Sequence, residues 1–291
     1  MISYRINHIT TYNYSEPVTL CHNEAHLLPG NFGAQRTIQS SLRIDPAPHS
    51  IQDREDFYGN RVTYFALEEA HSSLVVHASS EVIIRDEAPP DIDRSMPWEE
   101  VKKRFEKKES LEEKYAADFM FPSPMVAVND KLKEYILPIF TKEKPFLLCI
   151  KHFNEKIYKE FKYSPSSTTI FTPLMEVLEK KQGVCQDFAH IAIGCLRSLG
   201  FPARYVSGYM ETIPPPGQAK LRGADASHAW FSVLDPVYGW VDFDPTNNTM
   251  IGNRHIINSF GRDYSDVTPL KGIVFGGGKH SCTVSVDVER R

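Results

Sequence analysis

Three residues in the second half of the chain could together do covalent chemistry: Cys185, His228 and Asp244. Cys185 follows Gly183-Val184 and opens a run to Leu199 that is apolar nearly all round and stops at Gly200. That pattern predicts a buried helix. A thiol at a helix start meets unpaired backbone N–H groups and a partial positive charge, and both favour the thiolate. Gly183 removes a side chain beside the sulfur, so a substrate backbone could come close. On position alone, an inert buried thiol like Cys195 is an equal alternative.

A thiolate nucleophile also needs a base and an orienting group. His228-Ala-Trp-Phe-Ser-Val-Leu234 and Trp240-Val-Asp-Phe-Asp244 read as two strands of a hairpin. His228, Trp230, Ser232 and Leu234 share one face of the first strand, and Trp240, Asp242 and Asp244 share one face of the second. With a loop at Asp235-Pro236-Val237, His228 falls directly opposite Asp244, at about 5 Å between Cβ atoms. A one-residue slip would separate them. Asp242 is the rival orienter; Asp244 is preferred because Asp244-Pro245-Thr246 ends the strand beside His228. A lone strand histidine would ordinarily be half-exposed and inert, and it is the combination that points to nucleophilic catalysis.

Other residues have plainer readings. The backbone N–H of Cys185 could donate to an oxyanion, and Gln186 could help or could be a surface glutamine. His190 reads as a packed histidine, because the helix carries it away from the sulfur. Trp230 and Trp240 could wall a cleft, though core packing is the commoner fate of such rings. Asp263, Tyr264 and Asp266 could line the site or buttress a loop. Cys21-His22 and His280-Ser-Cys282 lack a partner pair for a metal, and there is no EF-hand-like loop, so no metal and no cofactor is expected.

These residues need elements to hold them. At 291 residues the chain has room for roughly two domains. Residues 1–85 alternate apolar and polar between turn signals and predict a β-rich domain. Residues 86–120 predict a linker and a charged helix: Glu99 to Lys114 holds six acidic and six basic residues, a solvated face with no net charge. Residues 121–291 predict the catalytic domain, with a helix at about 145–161, a short one from Thr172, the Cys185 helix, and strands at 203–210, 228–234, 240–244 and 282–288. A loop at 213–226, with Pro214-Pro215-Pro216-Gly217, is placed to filter substrates or to be a plain excursion.

Composition narrows the function classes. With 33 basic and 37 acidic residues the net charge is −4, so nothing draws the chain to nucleic acid or to anionic lipid. No stretch approaches a membrane span and the N-terminus has no apolar signal region, which makes the cytoplasm the expected compartment. Five cysteines without a C-x-x-C pair predict free thiols.

Gly183-Val-Cys185-Gln-Asp-Phe-Ala-His190, Ser227-His228-Ala-Trp230 and Gly239-Trp-Val-Asp-Phe-Asp244-Pro-Thr246 together resemble the transglutaminase-like superfamily. The resemblance is strongest to its bacterial branch described as cysteine proteases. Phe201 to Tyr209, Gly261 to Val267 and Gly276 to His280 resemble further blocks of that branch, and Tyr4 to Val18 resembles its separate β-rich N-terminal domain. The resemblance implies an α+β, papain-like core, with a catalytic helix on an antiparallel sheet. It implies Cys185 as nucleophile, His228 as general base and then acid, and Asp244 as orienting carboxylate. Gln186, Gly183 and Trp230 are the expected oxyanion or substrate residues. The expected reaction is acyl transfer on the amide bonds of a protein, peptide or other substrate through a thioester. Hydrolysis is favoured because that branch is usually described so; transfer to an amine is the alternative. A scaffold that kept the fold, and a redox-sensing thiol, are the readings from other classes.

Overall fold

The computed structural model describes residues 1–108, 110–212 and 227–291. The predicted filter loop at 213–226 lies outside them. The N-terminal half is strand, as its alternation predicts: β1 (Ile2–Ala25), β2 (Gln35–Asp45), β3 (Ser50–Glu55), β4 (Arg61–Leu67) and β5 (His71–Ile84). They form one antiparallel sheet in the order β2-β5-β1-β4-β3. β1 is its 24-residue spine, with register shifts on either side of Val18, where Pro17 has no N–H to give a ladder.

Helices and a second sheet follow: α1 (Trp98–Lys107), α2 (Leu111–Tyr115), α3 (Asp130–Ile136), α4 (Phe146–Glu160), β6 (Lys162–Tyr163), α5 (Leu174–Lys180), β7 (Gln182–Gly183) and α6 (Cys185–Leu199). Then come β8 (Ala203–Met210), β9 (Ser227–Asp235), β10 (Gly239–Asp244), β11 (Thr249–Met250) and β12 (His255–Gly261). β8 to β12 make a sheet in the order β11-β10-β9-β8-β12. Alternate residues of its strands, among them Ala229, Phe231, Val233, Val241 and Phe243, share a core with α6 and with the α4 stripe Phe146, Ile150, Phe153 and Ile157. α6 ends at Gly200, at φ 88°, where the sequence places its stop.

Two features cross the boundaries of the expected three-part division. Residues 86–91 are irregular and mostly exposed, as a linker is, but the charged segment after them joins the helical core through buried Val101, Phe105 and Ala116. The charged segment is two helices, broken at Lys108 in the left-handed region and restarted by Ser110, whose side chain accepts from the Glu113 N–H while the Glu113 carboxylate accepts from the Ser110 N–H. Nor does 121–291 stay in one unit. β13 (Leu270–Gly276) and β14 (His280–Arg290) return to the first sheet and pair with β1. Alternation shows that a segment is a strand, but not which sheet it joins. The short helix begins at Leu174 after Pro173, one residue later than a Thr172 cap allows, because the Thr172 hydroxyl accepts from the Thr169 N–H instead.

The two sheets are stitched at β12, the edge strand of the second. Gln35 accepts from the Ile257 N–H and donates to its carbonyl, at 2.8 and 2.7 Å. Asn60 does the same for Phe260, at 2.9 and 2.7 Å. Two side-chain amides thus stand in for a missing neighbouring strand. Tyr4 donates to Glu211 and the His8 ring meets the Tyr209 hydroxyl, so β1 also grips the end of β8. Asn60→Ala leaves a buried N–H and carbonyl of β12 unpartnered. We expect a loss of about 2–4 kcal/mol, read by denaturant unfolding monitored through tryptophan fluorescence. An unchanged midpoint would show that the clamp is replaceable.

Candidate active site

Cys185 occupies the first position of α6. The helix start is fixed by Asp187, whose carboxylate accepts from the Val184 N–H at 2.8 Å and from the Thr168 hydroxyl at 2.7 Å. Gly183 serves this cap. A Cβ there would lie 2.5 Å from the Asp187 carboxylate, so the missing side chain makes room for Asp187, and the expected opening toward substrate is taken. Cys185 is half-buried, as is Gln186 beside it, whereas Cys149 and Cys195 are sealed and burial holds their thiols well above the ordinary range.

His228 is the second residue of β9, in reach of Cys185. Its Nε2 lies 2.7 Å from Asp244 Oδ2. The Cys185 thiol acts on the same ring, helping to raise its pKa, and with Nε2 taken by Asp244 the nitrogen left to serve the thiol is Nδ1. The His228–Asp244 contact is the one expected, but its register is not. Asp235 pairs with Gly239 and Phe231 with Phe243, two residues off the pairing that would put His228 opposite Asp244. The Asp235 carboxylate accepts from the Val237 and Tyr238 N–H groups, and the three-residue loop is Pro236-Val237-Tyr238, one residue further along than expected. A two-residue shift keeps the face, so the side chains still meet, on a diagonal.

Asp244 is fully buried and heavily solvated by protein donors. Oδ2 accepts from His228, from the Asn247 amide at 2.6 Å and from His255 Nε2 at 3.3 Å. Oδ1 accepts from the backbone N–H groups of Thr246 and Asn247. Burial disfavours its charge, but the bonds from His228 and His255 outweigh that and hold the carboxyl far below the usual carboxylate range. Burial likewise opposes a charged His228, yet Asp244 and then Cys185 raise its pKa to about 10.

The rival Asp242 is committed elsewhere: the Trp230 indole donates to it at 3.3 Å, and its charge faces Arg204. Trp230 is buried beneath His228 and His255, so it lines no cleft. Trp240 stacks on the Arg204 guanidinium, 4.1 Å from its ring centre. His190 is packed, accepting from the Tyr264 N–H. Asp263 buttresses a loop through the Met125 and Ser265 N–H groups, and Asp266 pairs with Arg262. The sequence reading missed His255 and Asn247. His255 reaches Asp244 only because β12 lies beyond β8 and because Gly208, where a Cβ would strike Trp230 and the Ile256 carbonyl, lets the Trp230 ring cross β8. Spacing along the chain carries no such information.

His228, Asp244 and His255 bring three ligand-type atoms within 4.8 Å of one another, the one such trio with a candidate metal geometry among the described residues. Two ligands of a tetrahedral zinc stay about 3.3 Å apart, given bonds of about 2.0 Å. The 2.7 Å contact between His228 and Asp244 is closer than that and is a hydrogen bond. Among the described residues no helix is long and apolar enough to cross a membrane.

The comparisons with known proteins agree with this architecture. Residues 4–83 match the family described as the bacterial transglutaminase-like N-terminal region, and residues 138–245 match the transglutaminase-like superfamily. An uncharacterized protein of Mycobacterium tuberculosis (strain H37Rv) is 39% identical over 98% of this chain and 92% of its own. One from Mycobacterium leprae is 32% identical over 98% of both chains. A crystallised "putative cysteine protease" from Cytophaga hutchinsonii shares the fold, with a TM-score of 0.75 at 21% identity, over 99% of this chain and 90% of that one. With a mixed helix-and-sheet fold of the cysteine-dependent acyl-transfer type, the chain belongs to the transglutaminase-like superfamily.

Proposed function

We propose that the protein is a cysteine hydrolase of amide bonds, with Cys185 as nucleophile, His228 as general base and acid, and Asp244 as the carboxylate that orients His228. The observation that carries this reading is a single imidazole held between a helix-start thiol and a buried carboxylate. The Cys185 sulfur attacks the amide carbonyl carbon and forms a C–S bond. The C–N bond breaks as Nδ1 of His228 hands its proton to the leaving nitrogen, which departs as an amine. Water then attacks the thioester and gives its proton to His228. The C–S bond breaks, leaving a carboxylic acid and the restored thiol. The Cys185 backbone N–H, in the first turn where no intrahelical acceptor exists, is the oxyanion donor in this scheme, with Gln186 beside it. The free thiols and the absence of a net positive charge suit a cytoplasmic protein acting on protein or peptide amides.

The test follows one substrate pool into two products. Denatured casein and a peptide-amide library are incubated with the protein and a dansylated primary amine. New α-amines or released ammonia, with no dansyl incorporation, are the expected result, and Cys185→Ala should abolish them. Dansyl incorporation without hydrolysis would make the protein a transglutaminase. Equal product from Cys185→Ala would remove the thiol from the mechanism.

A further inference from the structure

We propose that His255 is a positioning residue of the site: a neutral second histidine that donates to Asp244 and holds its carboxylate for His228, so that the working unit is Cys185–His228–Asp244–His255. This rests on the cysteine–histidine chemistry proposed above. His255 is the first residue of β12, buried, with its Nε2 3.3 Å from Asp244 Oδ2. Its Nδ1 is also buried and has no hydrogen-bond partner among the described residues. That asymmetry fixes the tautomer. A proton on Nδ1 would be buried and unpaired while a bare Nε2 faced a carboxylate; a proton on Nε2 satisfies both groups. The ring is held edge-to-face on Trp230, at 5.4 Å between centres, so it cannot swing away.

Neutrality matters because one carboxylate serves two imidazoles. The charged and titratable groups facing His255 are Asp244 and Asp242 from β10, His228 from β9 and Arg254 beside it in the chain. Burial first, then His228 and Arg254, disfavour a charge on His255, while Asp244 favours it; the net direction is down. His228 thereby keeps the positive charge, and Asp244 accepts from His255 without being neutralised by it. β12 is the strand that Gln35 and Asn60 clamp, so the N-terminal sheet sets the position of a group touching Asp244. This gives the N-terminal region a part in the chemistry without placing any of its residues in the cleft.

The test uses the full chain and iodoacetamide, and reads Cys185 alkylation against pH, with Cys185→Ala as the blank for other thiols. His255→Leu keeps bulk and removes the donor; His255→Gln places an amide N–H near the Nε2 position. The Leu variant should react about tenfold more slowly than wild type at pH 6, and the Gln variant within about twofold of wild type. If the Leu variant does not fold, His255→Asn replaces it, since the shorter amide reaches only the Nδ1 position. A Leu or Asn variant with the wild-type profile overturns the proposal. So does equal impairment with Gln, which would leave only ring packing. A wild type that follows an ordinary thiol titration would instead sink the underlying cysteine–histidine reading, and the proposal with it.

Discussion

Replacing His228 by alanine is expected to turn a flat pH profile into a steep one. His228 carries its proton up to a pKa of about 10, so between pH 6 and pH 9 a positive ring faces the Cys185 sulfur. Its pKa is raised, so the charge is fully present below the ordinary histidine value near 6.5 and is lost only as pH climbs through about 10. Over that window alkylation of Cys185 in the wild type should vary by less than about threefold. A thiol without this partner titrates near 8.5, with roughly 0.3% thiolate at pH 6 and half at pH 8.5. In His228→Ala the rate should therefore climb about two-hundredfold across the same window. The shape of the curve is the safer readout than the rate at one pH, because a thiolate stabilised by a partner is also a weaker nucleophile. Turnover of an amide substrate should fall by at least 10²–10⁴, the usual share of a general acid–base group. Superimposed profiles for the two proteins would mean that the pair exists in geometry but not in charge, and a redox-sensing or scaffold role would regain ground.

How much of this could be read from the chain alone depends on whether an interaction is local. Cys185 at a helix start is local: an apolar run, a preceding glycine and a stop at Gly200 place it. The His228–Asp244 contact is nearly local, because a hairpin brings its ends together for any loop that keeps parity. The register came out two residues away from expectation, and the contact survived for that reason. Had the turn added one residue, Asp244 would have faced the other side. Asp187 filling the space at Gly183 is local as well, four residues apart across the helix start, yet a glycine before a cysteine invites the substrate reading instead. What spacing could not show is sheet order. That β14 returns to β1 and that Gln35 and Asn60 clamp β12 are contacts over about 200 residues of sequence or more, and β12 reaches its place beyond β8 only after the chain has left that sheet side through β9 to β11. His255 is only 11 residues from Asp244, yet its contact depends on that strand order and not on spacing, so it emerges only from the folded structure.

Asp244 carries the second large expectation, and its two simplest variants should separate stability from catalysis. Asp244→Ala strands the His228 ring, the His255 ring, the Asn247 amide and two backbone N–H groups around a buried cavity. Removing one side of such a network costs about 3–5 kcal/mol, roughly 10 °C in Tm for a chain of this size. Asp244→Asn keeps an oxygen for the backbone donors and should recover most of that loss. It should not recover activity. An amide presents an N–H where His228 Nε2–H needs an acceptor, or turns its oxygen to His228 and drives its N–H against the Thr246 and Asn247 backbone. The imidazolium loses its counter-charge in either case, and turnover should drop by about 10³–10⁴. The pH dependence gives an internal control. Asp244 has a depressed pKa, so its contribution to stability is present above the ordinary carboxylate value near 3.9 and is lost as pH falls toward the folded-state value. The Tm gap between wild type and Asp244→Asn should be widest near neutral pH and begin to narrow below about pH 4. Thermal unfolding from pH 3 to pH 8, run beside the alkylation profile, checks both halves. An Asn variant with wild-type turnover would show that hydrogen bonding alone orients His228. A gap that does not narrow between pH 5 and pH 3 would show that the Asp244 charge contributes nothing to holding β10 and β12 together.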